Sequence, residues 1–73
     1  MPRLPSISAR ECIIALEKTG FYVVRQRGSH LILRRDHPRT RVVVPNHKAL
    51  KRGLLRGIIR QAGLTVEQFL ELL

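Results

Sequence analysis

A chain of 73 residues with a net charge of +9 and one cysteine excludes several classes of protein. Its length suits one domain, residues 1–73, with a small core. Cys12 has no partner for an internal disulfide, no Cys/His spacing matches a zinc site, the first residues, MPRLPS, lack the apolar stretch of a secretory leader, and no apolar run approaches a membrane span, so a cytoplasmic protein is expected.

The hydrophobic fraction of 44% argues against disorder. Fourteen Lys and Arg against five Asp and Glu point to a polyanionic partner, nucleic acid first. The plainer alternative is a soluble basic protein. From His37 to Val66 the chain carries Arg39, Arg41, Lys48, Lys51, Arg52, Arg56 and Arg60 and no acid.

Ser8-Ala9-Arg10-Glu11 reads as a capping box. Ala9, Cys12, Ile13 and Leu16 then recur on one helical face, and Gly20 offers a stop, so a helix is expected over about residues 9–19. Phe21-Tyr22-Val23-Val24 has strand composition. Arg27-Gly28 is the expected hairpin loop, and Ser29 to Arg35 the returning strand. Asp36-His37-Pro38-Arg39 is a second turn, and Thr40 to Val44 a third strand closed by Pro45.

Leu54, Leu55, Ile58, Ile59 and Ala62 follow helical spacing up to Gly63. Gly57 is expected to let this helix pack closely on the sheet, and Gly53 to lie near its start. Thr65-Val66-Glu67-Gln68 is a second capping box, opening a short helix that offers Val66, Phe69, Leu70 and Leu73 to the core. The order predicts an α+β domain, with helices on one face of a three-stranded antiparallel meander.

Three histidines need weighing. His37, beside Pro38, reads as a solvated turn residue. His47 can touch phosphate or cap the following helix. His30 follows Gly28-Ser29 at the head of a strand, between Arg27 and Arg34, where a reactive group is better fixed than on a loop. Imidazole exchanges protons near neutrality, and RNA carries its own nucleophile in the 2′-hydroxyl. A histidine with cations around the phosphate therefore meets the minimum for RNA cleavage. The alternative is a histidine that hydrogen-bonds across the hairpin. Strand parity puts Ile32 on its face and Leu31 and Leu33 on the other, without saying which face is covered. Lys48, Arg52, Arg56 and Arg60 stand four apart, as one ridge along a helix that an anionic partner would offset. The partner can be RNA or an acidic protein. Phe21, Tyr22 and Phe69 do not make an RRM-type stacking pair.

The runs ECIIALEKTGFYVVRQRGSHLIL and VVVPNHKALKRGLLRGIIRQAGLTVEQFLELL resemble the HicA (YcfA-like) toxins of toxin–antitoxin pairs, over about Ile7 to Leu73. Gly20-Phe21, Arg25 through His30, Pro45-Asn46-His47, and Gly63 through Phe69 carry the likeness. The resemblance implies a double-stranded-RNA-binding-domain-like fold, α-β-β-β-α plus a short C-terminal helix. It also implies a metal-independent mRNA interferase with no cofactor and a HicB-like antitoxin partner. The family's functional histidine falls on His30, with Gly28 and Ser29 in the same motif. Arg25, Arg27, Arg34, His47, Lys48, Arg52, Arg56 and Arg60 are the expected RNA contacts. Where many relatives carry threonine after the helix-start glycine, this chain has Leu54, so a hydroxyl is missing there. The leading expectation is an endoribonuclease toxin. A non-catalytic RNA-binding module of the same fold is the runner-up, and a basic protein-binding module stands third.

Overall fold

Two reciprocal caps set where two of the helices begin. In the computed structural model, which describes residues 3–73, the Glu11 amide donates to Ser8 Oγ at 3.1 Å and the Ser8 amide donates to Glu11 Oε1 at 3.0 Å. This opens α1, Ala9–Glu17. The Thr65–Gln68 pair opens α3, Val66–Glu71, in the same way. Between them lie β1 (Tyr22–Arg27), β2 (His30–Asp36), β3 (Arg39–Pro45) and α2 (Arg52–Gln61).

The strands form an antiparallel sheet in the order β1-β2-β3. Register decides the faces, because paired residues point the same way. Leu31 pairs with Val44 and Leu33 with Val42, and these four pack toward the helices. His30 pairs with Pro45, Ile32 with Val43, Arg34 with Arg41 and Asp36 with Arg39, and these lie on the opposite, open face, which α2 borders only along the β3 edge at Val43 and Pro45. The core joins Leu33, Val42 and Val44 to Cys12, Leu16, Leu55, Ile59 and Phe69. Each of these buried Leu, Val, Ile and Phe side chains contributes about 1.5–3 kcal/mol relative to exposure.

β1 contains a bulge between Val23 and Arg25. Val23 pairs with Leu33, on the helical side, whereas Arg25 pairs with Ile32, on the open side. The extra residue, Val24, reverses the alternation. Arg25 and Arg27 consequently share the open face with His30.

Several expectations shift. α1 ends at Glu17, before residue 19, because the Thr19 hydroxyl and amide both donate to the Leu16 carbonyl, at 2.8 and 2.9 Å, and turn the chain. Ala15 is buried on its inner face, while Ile13 is half-buried. The hairpin loop is Gly28-Ser29, since Arg27 pairs with His30. Gly28 has φ +58, a conformation that favours glycine at the first loop position. α2 starts at Arg52, with Lys51 as its N-cap, so Lys48 stands in the preceding loop and not on the helix. A Cβ added at Gly57 would meet nothing within 4 Å, so that glycine does not serve close packing on the sheet. At the C-terminus Leu72 packs on the core, whereas Leu73 is half exposed.

One arginine is structural. Arg35 lies over the Phe21 ring at 4.6 Å and donates to Pro38 O, Thr40 Oγ1 and Ala62 O at 3.2, 3.0 and 3.2 Å. It ties the central strand to the C-terminal end of α2, which favours positive charge.

Candidate nucleic-acid interface

The hairpin delivers His30 to the first position of the central strand, on the open face. Backbone hydrogen bonds bring the two sequence-distant motifs together there. The Asn46 amide donates to the Ser29 carbonyl at 2.6 Å, fastening Pro45-Asn46-His47 against Gly28-Ser29-His30. The His47 amide in turn donates to Pro45 O at 2.8 Å, and the His47 carbonyl accepts from the Ala9 amide at 2.9 Å. His47 thus caps α1 through its backbone. It does not cap α2, whose N-cap Lys51 makes no side-chain cap hydrogen bond. The imidazole of His47 is exposed, as is Lys48 beside it.

Arginines crowd the open face. Arg25, Arg27, Arg34, Arg39 and Arg41 surround a shallow cleft of about 600 Å³ with Ile32 in its lining. Among the described residues the one salt bridge joins Arg34 to Asp36 at 3.5 Å, with both side chains about half exposed. Asp36 also accepts from the Tyr22 hydroxyl at 2.9 Å. That hydrogen bond, ahead of desolvation and the nearby negative charge, raises the Tyr22 phenol above its usual range. Asp36 therefore closes the far end of the face, and the end nearer His30 keeps its positive charge. Sequence reading named Arg25, Arg27 and Arg34 as contacts but missed Arg39 and Arg41. Their strand parity with Arg34 becomes visible only once the second turn fixes the β2–β3 register.

On its other side His30 borders a second groove, of about 370 Å³, between β3 and α2. Val43, Pro45, Leu54, Gly57, Ile58 and Gln61 line it. Leu54, where a hydroxyl was noted as missing, is one wall of this groove.

The expected ridge divides. Lys48 lies in the loop that the Asn46 amide fastens to the hairpin, whereas Arg52, Arg56 and Arg60 keep one line along α2. Arg56 and Arg60 do not face the groove. At about 100° per residue, the line of Arg52, Arg56 and Arg60 is centred about 130° around the helix from Leu54, Gly57 and Gln61. The buried stripe Leu55, Ile58 and Ile59 turns toward the core between the two flanks. His37, in the second turn, sits at the opposite end of β2 from His30.

Burial raises the Cys12 thiol to about 11, which leaves it neutral and inert inside the core. Among the described residues no three His, Cys, Asp or Glu side chains gather where they could hold a metal ion. No helix among them is long and apolar enough to cross a membrane.

Fold and surface define the class: a small basic α+β protein of double-stranded-RNA-binding-domain-like architecture, with an arginine-rich open sheet face. The family model for the HicA toxin of bacterial toxin–antitoxin systems matches residues 9–64, and the chain belongs to that family. It is therefore the toxin member of such a pair, and a partner antitoxin follows from membership. No curated protein matches the chain. Every candidate contact, from Arg25 to Arg60, falls inside the matched segment, while α3 lies beyond it.

Proposed function

We propose that the toxin acts as an endoribonuclease on mRNA, with His30 as general acid or base and no metal. The observation that carries this reading is the placement of His30. It stands on a rigid strand, at the junction of two backbone-fastened motifs, on the same face as Arg25 and Arg27. Guanidinium groups there hold the phosphate and stabilise charge as it builds on the equatorial oxygens. The 2′-oxygen forms a bond to phosphorus and loses its proton. The bond from phosphorus to the 5′-oxygen breaks, and that oxygen gains a proton. A 2′,3′-cyclic phosphate and a 5′-hydroxyl result. His30 handles one of these two protons, and water handles the other. His47, Lys48 and Arg52 extend the cationic surface past the hairpin, and Gly28 and Ser29 shape it. A HicB-like antitoxin carrying acidic side chains would silence the toxin by covering this face.

The test is His30→Ala. Its thermal unfolding should match the wild type and its RNA affinity should stay within a few fold, while cleavage falls by about a hundredfold or more. Wild-type cleavage should persist in EDTA and leave cyclic or 3′-phosphate ends. The five acids, Glu11, Glu17, Asp36, Glu67 and Glu71, are scattered and offer no magnesium site. Undiminished cleavage by His30→Ala, or loss in EDTA restored by Mg²⁺, refutes the mechanism. RNA binding without cleavage by the wild type would favour a non-catalytic RNA-binding module.

A further inference from the structure

The groove between α2 and β3 has a composition that phosphate binding does not explain. Val43, Pro45, Leu54 and Ile58 make its walls apolar, and Gln61 is its amide. Its volume of about 370 Å³ lies at the small end of the roughly 300–1,000 Å³ usual for ligand sites. Gly57 lies on its helical side, in the middle of a ten-residue helix. Glycine there weakens the helix relative to alanine. No turn, positive φ or close neighbour requires it, since a Cβ at this place would meet nothing within 4 Å. The missing side chain leaves the groove wider on its helical side.

We propose that this groove holds one nucleobase of the RNA, from a nucleotide flanking the phosphate at His30, and that Gln61 reads its edge. The inference rests on the nuclease reading and adds a subsite to it. Charge complementarity selects the occupant. His30 and Pro45 are register partners, so the groove opens directly beside the arginine-bearing face that would carry the strand's phosphates. A base turned out of the strand finds apolar walls for its faces and, in Gln61, an amide that both donates and accepts. Leu54 fits such a wall better than a hydroxyl would.

The experiment crosses two changes. One is Gly57→Leu, which fills the groove from a helix position with open space around it. The other is a short single-stranded RNA with an abasic nucleotide on one side or the other of the scissile phosphate. Gly57→Leu should unfold at or above the wild-type temperature and should cleave the intact RNA about tenfold more slowly. Base removal should slow the wild type by a similar factor at one position, yet slow Gly57→Leu little further, because the two changes delete the same contact. Gln61→Met should redistribute cleavage among sites in a mixed-sequence RNA. The subsite is overturned if Gly57→Leu cleaves at the wild-type rate, if the two losses multiply, or if Gln61→Met leaves the site distribution unchanged. In each of those cases wild-type cleavage dependent on His30 would persist, so the nuclease reading would stand. A wild type that cleaves no RNA overturns both.

Discussion

If RNA runs across the open face of the sheet, Arg25 and Arg27 should carry phosphates and Arg56 and Arg60 should not. The two pairs can be compared because removing either lowers the net charge equally. Both double variants, Arg25→Gln with Arg27→Gln and Arg56→Gln with Arg60→Gln, are made in the His30→Ala background so that the RNA survives. On single strands each neutralised phosphate contributes about −0.7 to the slope of log affinity against log salt. Loss of Arg25 and Arg27 should therefore flatten the slope by about 1.4. Between about 50 and 200 mM salt, that difference amounts to roughly a sevenfold change in relative affinity. Loss of Arg56 and Arg60 should move the slope by no more than a few tenths. Neither pair should alter stability by more than about 0.5 kcal/mol, since all four side chains are exposed. Fluorescence anisotropy with one short RNA at five salt concentrations reads all of this. Equal flattening by both pairs would mean that only net charge matters. A larger effect from Arg56 and Arg60 would put the RNA on the helical side and refute the assignment of the sheet face.

Tyr22 is the one tyrosine in a chain without tryptophan, so its ultraviolet titration is clean; its midpoint should lie above 10 and fall toward 10 in Asp36→Ala. Because the folded-state value is the raised one, this hydrogen bond supports the fold below pH 10 and its contribution fades as pH rises through the folded-state value. Cys12 should resist a thiol reagent at pH 8 in the native protein and react once denaturant is added; its contribution to stability should likewise be complete below about pH 9 and disappear as pH rises through about 11. Fast native labelling would contradict its burial. Arg35→Ala removes the stack on Phe21 and three hydrogen bonds, and should cost about 2 kcal/mol, or roughly 10 °C in Tm, without changing the salt slope for RNA.

Both capping boxes were legible because a cap is a local pattern of four residues, and each has the expected hydrogen bonds. The strand order and the second turn were legible for the same reason, whereas the first hairpin loop lies one residue later than the expected Arg27-Gly28. The face bearing His30 was not, since alternation gives two faces without saying which one the helices cover. Arg25 and Arg27 were equally opaque, as nothing in Val23-Val24-Arg25 marks the extra residue that turns them outward. The basic ridge was overread at one end only: the four-residue spacing continues back to Lys48, but the helix that carries Arg52, Arg56 and Arg60 does not. Gly57 looked like a packing glycine and faces open space instead. Each of these depends on register or on where a helix begins, which tertiary contacts decide.

The extra residue at Val24 also bears on how the protein avoids its own copies. β1 is an edge strand, and Tyr22, Val23 and Val24 are 40–44% exposed, the kind of apolar edge that recruits a neighbouring chain. A regular ladder of outward amides and carbonyls would make that edge a template for self-association. The bulge breaks the ladder partway along, and the arginines beyond it set like charge against like in any pairing of two copies. The distortion that aims two cations at the open face therefore also works against the pairing of this edge with a second copy.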